Sequence, residues 1–560
     1  MFPVLSLLSA LALTTSGDAL AAAPLGPPRA GPKAAPLPLG TLARFPDGVL
    51  VVAGVPALDA LIADLAGLSA EATGVPDDGA VRASVALHLQ NDFGLDPATL
   101  DFHRPFKLAL LDPKSHAAPL ALVAPTLGGT WQVAFRGDPT ATLDPKVRAA
   151  LVAWTPKAPF ALEADIAQAS RIYAAELAAG GSLMRALFVT ELADPKQHDE
   201  AAEAVAAIGA TLDLVKDTDR LTLSADLSGP VPRLAFGVTP KGGGPLAKGL
   251  RELSSRRVAF SGMVPDAAIF AAGFNIPPAL LQPDPAAQTQ ELFAAFDVLG
   301  QGLWSAADKA QLIDALTRIQ AAQGSHSTLW LRMTTLGMAI ESVTSVKDGR
   351  AYMQMLVDAG DLIYRKLWAG MKAAYAKSGV DPSTLPDMTF EQFLPLVTQF
   401  YGSGRVLHDT TAKGSRIEGM SLALDWSKVP GVAPTSQAML SQLVGSSLDF
   451  ALGGEGSAIA MAIGSGATAT IGTLLAAAGR SESKVAREPW LAAASDGFGY
   501  VLVRPGDWLG AVARRPGSAP SDGGAAAGAP LLLRAKSDGK RLVFALDVPR
   551  EFLGLAGLAR

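Results

Sequence analysis

The chain has 560 residues, 47 Lys plus Arg against 52 Asp plus Glu, a net charge of -5, and no cysteine. At 49% hydrophobic residues it is long enough for more than one buried core, so two large units are expected. The acidic balance offers no field for nucleic acid or an anionic membrane surface, and the missing cysteine excludes disulfides, thiolate metal sites, thiol nucleophiles and a lipid-modified cysteine.

Residues 1–23, MFPVLSLLSALALTTSGDALAAA, read as a secretory signal. The apolar run from Phe2 to Leu13 is short for a membrane span and ends in small residues at Ala19, Ala21 and Ala23, although no Lys or Arg precedes it. The expectation is a periplasmic or secreted protein without a lipid anchor and without an integral membrane segment once the signal is cleaved. Residues 24–40 hold six prolines and no apolar periodicity, which predicts an extended linker.

The first unit, 41–255, opens on DGVLVVAGVPALDALIADLAG, an apolar strand, a proline, and a helix with Leu58, Leu61, Ile62 and Leu65 at helical spacing. The pattern returns at Arg257 (RVAFSGMVPDAAIF), with Pro265 in the place of Pro56, and at Gly499 (GYVLVRPGDWLGAV), with Pro505. Further strands are predicted at Phe106 to Leu111, Pro119 to Val123, Thr130 to Phe135, Leu221 to Leu227 and Arg233 to Val238, with helices at Ala164 to Ala178 and Pro195 to Ile208.

The second unit, 256–560, contains a long helix from Gly349 to Ser378 with a stripe of Leu356, Ile363, Leu367 and Ala374, stopped by Gly379 and Asp381-Pro382. Strand pairs are predicted at 405–408 with 416–424 and at 448–452 with 458–463. A C-terminal β-hairpin turns at Asp538-Gly539 between 531–536 and 540–548. The expected class is therefore α+β: two similar mixed units, each with an antiparallel sheet and packed helices.

No catalytic constellation, cofactor motif or metal site emerges. No two of the six histidines stand at i, i+4, and Asp92, Asp96, Asp101 and His103 suit a packed turn better than a liganding loop. Ser481 and Lys484 match S-x-x-K, but the Lys-Ser-Gly at 377–379 lies upstream and no S-x-N intervenes, so a serine hydrolase is the remote reading. Ser457 to Gly479 carries no charge, yet its centre is Gly, Ser and Thr, so a strand, a turn and a buried small-residue helix are expected rather than a span.

Half of the 12 methionines, Met333, Met338, Met353, Met355, Met371 and Met388, fall between 333 and 388 of the second unit, and Tyr352, Tyr364, Trp368 and Tyr375 lie on the long helix. Thioethers beside amphipathic rings suit plain core packing or, alternatively, an adaptable apolar pocket. The signal, the opening strand and helix, LDFHRPFKLALL, LTLSADL and the closing YVLVRPGDWLGAV together resemble a loose group of exported bacterial proteins classed only as domains of unknown function. That resemblance implies a duplicated α+β periplasmic protein without known activity. The reading is an exported non-enzymatic protein that binds an unknown protein partner or serves as an envelope scaffold, the alternative being a carrier of a lipid-like or other apolar ligand.

Overall fold

The computed structural model describes residues 45–550, except 74–77, 180–181, 183–213, 230, 278–303, 335, 380, 400–401, 430–432, 434–435, 438–439, 442–443, 446, 481–488 and 505–528. The signal and linker, the helix expected at Pro195 to Ile208, and Ser481 with Lys484 therefore lie outside the described residues. The first unit gives β1 (Val49–Val55), α1 (Leu58–Thr73), α2 (Asp78–Phe93), β2 (Phe106–Leu111), β3 (Leu120–Pro125) and β4 (Trp131–Phe135). It continues with α3 (Pro145–Ala153), β5 (Phe160–Asp165), α4 (Ile166–Ile172), β6 (Thr218–Asp226), β7 (Arg233–Pro240) and α5 (Pro245–Leu253).

The second unit gives β8 (Ala268–Asn275), α6 (Ala306–Ala322), β9 (Gln323–Thr334), β10 (Gly337–Val346), α7 (Gly349–Lys377) and α8 (Phe390–Thr398). It continues with β11 (Gly402–Thr410), β12 (Arg416–Leu424), β13 (Ser447–Glu455), β14 (Ala458–Ile463), α9 (Ala467–Ala478) and α10 (Pro489–Ala494). It closes with β15 (Gly499–Val503), β16 (Leu531–Ser537) and β17 (Leu542–Asp547).

The mixture of helices with an antiparallel sheet agrees with the α+β expectation, but the units do not have separate sheets. Among the described residues seventeen strands join in one sheet, ordered β4-β3-β2-β1-β5-β6-β7-β17-β16-β15-β8-β9-β10-β14-β13-β12-β11, with every neighbour antiparallel. The C-terminal hairpin forms around Gly539, whose φ of 82° needs no Cβ penalty, and it sits inside the sheet, with β17 pairing to β7 of the first unit. At that seam the buried Asp547 lies 3.3 Å from Arg233 Nε and accepts from Arg534 Nη2 at 2.8 Å. Burial nevertheless holds its carboxyl above the ordinary carboxylate range.

Residues directly opposite in antiparallel strands share a face, so two faces can be traced across the sheet. On one, Val52, Ala109, Ala121 and Phe135 pack with Leu151 of α3 and Trp154. Farther along, Trp330, Val343, Ala451 and Ile417 pack with Ile471 and Leu475 of α9 and Leu491 of α10. On the other face, Val55, Phe106 and Leu122 meet Leu58 and Ile62 of α1 and Leu89 of α2, while Leu452 and Ile459 meet α6 and α7. Strands covered on both sides read as near-continuous apolar runs, as LALVAP does and FKLALL does but for Lys107.

The return at Arg257 does not form as expected. Phe260 takes a left-handed φ of 64°, Ser261–Met263 is a short 3-10 turn, and the strand begins only at Ala268, so Pro265 precedes a strand where Pro56 comes after one. The reason is non-local: β8 obtains both of its ladders from β15 and β9, and those partners select Ala268–Asn275 as the extended run. The third return does give a strand, β15, but its proline and expected helix, at 505–513, lie outside the described residues. Ser457 to Gly479 forms β14, a turn and α9, in agreement with the reading of strand, turn and buried helix.

Candidate functional site

An apolar cavity lies under the long helix. Asp348 starts α7 by accepting from Arg350 N at 2.9 Å and Ala351 N at 3.1 Å, and Gly379 comes after its end with φ 89°. The deeply buried residues of α7 are Tyr352, Met353, Ala359 and Leu362, packed against β14 and α6. Leu356, Ile363 and Leu367, expected as a buried stripe, are only half-buried and instead line a cavity of about 680 Å³, together with Tyr364 and Met371.

The floor of that cavity is one face of three strands: Val406 of β11, Glu418 and Met420 of β12, and Phe450 and Leu452 of β13. Its end wall is α8, begun by a capping box between Thr389 and Gln392, which carries Phe390 and Phe393. Tyr364 donates its hydroxyl to Met388 O at 3.0 Å, and its ring meets Phe390 and Phe393 edge-on or tilted at 5.5 and 5.8 Å. A Cβ at Gly404 would stand 2.6 Å from Thr398 Oγ1, so the glycine lets α8 lie directly on the edge strand β11.

A charged clasp joins α8 to the strands at the rim. His408 Nδ1 is 2.6 Å from Glu418 Oε2, His408 Nε2 contacts Glu391 Oε1 of α8, and Arg416 Nε contacts Glu418 Oε1. The hydrogen bond to Glu391, helped by the field of Glu418, raises the imidazole above its ordinary range, against an opposing effect of burial. The unfolded imidazole titrates near about 6.5, so the clasp contributes fully below that pH and is lost as pH rises through the higher folded value. The amides of α8 should therefore lose exchange protection, after correction for intrinsic rate, from near neutrality upward. His408→Gln should flatten that dependence, and equal pH profiles in both proteins would dismiss the clasp.

The residues singled out by sequence do not assemble elsewhere. Asp96 accepts from Ala98 N at 2.9 Å, Asp101 from His103 N at 3.1 Å, and His103 Nδ1 lies 3.1 Å from Asp59. Leu95 and Leu100 are buried beneath them, as the packed-turn reading requires. Among the described residues no three His, Asp or Glu side chains stand where they could hold a metal ion. Nor is any helix among them long and apolar enough to cross a membrane.

Two further features escaped the sequence reading. Burial, helped by Arg104, pushes the Lys107 ammonium down to about 8, but it donates to Val152 O at 2.5 Å and lies 4.5 Å from the Trp131 ring centre, a fully engaged core position. A groove of about 520 Å³ on the opposite face, between α9 and the β11–β12 turn, is lined by Thr410, Thr411, Thr468 and Thr473 together with Ile417, Ala469 and Ala476. The cavity is thus the one feature to which a signal in the sequence pointed, the methionines and aromatic rings of Gly349 to Ser378. Comparison with protein-family models, with curated proteins and with solved structures gives no match to this chain.

Proposed function

We propose that this chain is an exported, non-enzymatic binding protein that carries an apolar ligand in the cavity beneath α7. The observation that carries the reading is the cavity itself: about 680 Å³, within the range of small-molecule sites, walled by Met353, Met371, Met420, Tyr364, Phe393 and Phe450. Thioethers re-pack around ligands of varying shape, and rings give large contact area at small entropy cost. Burying a chain there contributes roughly 0.8 kcal/mol per methylene, enough for retention through purification. Mass spectrometry of organic extracts from natively purified protein should reveal a co-purifying amphiphile at near-stoichiometric amount. An extract without one, from protein that also takes up no apolar dye, would sink the carrier reading.

Export is part of the proposal and rests on residues 1–23. Mature protein beginning near Ala22 or Pro24 should be found outside the cytoplasm, and intact Met1 on cytosolic protein would overturn it.

An ancestral duplication is also supported, in a different register from the one read in the sequence. In each unit two opening strands pair at the centre, β1 with β5 and β8 with β15, and each returns after a long excursion to an adjacent strand. The closing pairs are Val55 with Phe106, Asp165 with Arg220, Asn275 with His326, and Val503 with Leu531. On this reading β8, not the segment at Arg257, corresponds to β1, and β10 to β14 carry the cavity as an addition. Superposing β1, β2, β5 and β6 on β8, β9, β15 and β16 tests it, since a mismatch in strand direction or register sinks the correspondence.

A further inference from the structure

Resting on the cavity as a ligand site, a second question concerns the head group of its ligand. Among the described residues only two charged side chains line the cavity, Asp361 and Glu418, and both are acidic. Glu418 is already engaged by Arg416 and His408. Asp361 is different: it is exposed on α7, and among the described residues its carboxylate has no hydrogen bond or ion pair, although its main-chain oxygen accepts from Arg365 Nε at 3.2 Å. Of the nearby bases, Lys366 pairs with Asp308 at 2.7 Å and Lys372 with Asp387, while Arg365 is held on the main-chain oxygen of Asp361 and not on its carboxylate.

One helical turn on from Asp361 stands the ring of Tyr364, backed by Phe390 and Phe393. A free carboxylate beside an aromatic ring at the mouth of an apolar cavity is complementary to an ammonium, through charge and through the ring quadrupole. The same mouth repels a carboxylate or phosphate, since no cation lines it to compensate the desolvation of an anion. We propose that the cavity selects single-chain amphiphiles with a cationic head group, the alkyl tail lying between α7 and the strands and the ammonium at Asp361.

The test uses the full chain and three probes of equal tail length, dodecyltrimethylammonium, dodecanol and dodecanoate, each kept below micelle formation and titrated calorimetrically. The cation should bind tightest and the carboxylate weakest, by roughly tenfold between them at low salt, with the gap narrowing as salt is added. Asp361→Asn, at an exposed position, should bring the cation to the affinity of dodecanol and leave dodecanol unchanged. Dodecanoate binding as tightly as the cation, dodecanol matching the cation, or a preference that survives Asp361→Asn would overturn head-group selection while leaving the cavity as a site. Failure of all three probes to bind would remove the cavity reading itself, and this proposal with it.

Discussion

Gly360→Trp should remove the ligand capacity of the cavity without unfolding the protein. Gly360 lines the cavity in the interior of α7, and a Cβ built there meets nothing within 4 Å, so a side chain can enter without displacing backbone. Glycine is a poor helix residue, so the substitution should be neutral or slightly stabilising, by a few tenths of a kcal/mol. An indole buries roughly 150 Å² or more when it fills an apolar site, and a ligand would have to displace it. At about 25 cal/mol per Å² that is on the order of 4 kcal/mol, or a loss of affinity of roughly several hundredfold for an apolar probe. Gly360→Ala is the control: affinity should stay within about a factor of two while the helix gains up to roughly 1 kcal/mol. Unchanged probe affinity in the tryptophan variant would mean that the ligand binds elsewhere.

The largest expected stability effect belongs to Glu341. The residue is 4% exposed, on the sheet face that also carries Trp330, and its carboxylate accepts from Trp330 Nε1 and from Arg332 through Nε at 3.2 Å and Nη2 at 2.7 Å. Glu341→Ala would leave a buried indole N–H and a half-buried guanidinium without their acceptor, and breaking such a pair costs roughly 3 kcal/mol or more. Urea unfolding should show a lower midpoint with an unchanged slope, and Glu341→Gln should fall between, since it keeps an acceptor but loses the charge. A midpoint indistinguishable from the parent would show that water or rearrangement satisfies Trp330. A similar arrangement occurs in the first unit, where Trp154 Nε1 donates to the buried Glu163 at 3.2 Å and Arg220 stands 3.8 Å away.

Glu341 also marks where sequence reading loses its footing. In GMAIESVTSV strand alternation puts Glu341 on the same face as Ala339 and Val343, and no local pattern marks which groups would meet its charge there. The sheet is covered on both sides there, by α9 on one face and α6 and α7 on the other, so a charge on either face is buried and needs a partner across the ladder. Likewise, the local Val-Pro signal is the same at 55–56 and 264–265 although the strand lies before one proline and after the other. Local preference marks a break in extended structure; the ladder on either side decides which neighbour extends.

Several features were legible in the chain before any folding: the α+β class, the extent of Phe106–Leu111, Arg416–Leu424 and Ala458–Ile463, the long helix, and the hairpin at Asp538-Gly539. These depend on periodicity, turn chemistry and end signals carried within a few residues of one another. Its methionines and rings also marked the helix that lines the cavity, though not that a cavity exists there. That the units share one sheet through β7 and β17 came from the folded structure alone, because pairing between residues some three hundred positions apart leaves no local trace. So did the meeting of Glu391, His408, Glu418 and Arg416, which come from a helix and two strands and join because α8 folds onto the edge strand at Gly404. Whether Leu356, Ile363 and Leu367 fill a core or border a cavity depends on how closely α8 and the strands approach α7, a distance set by side chains far away in the chain.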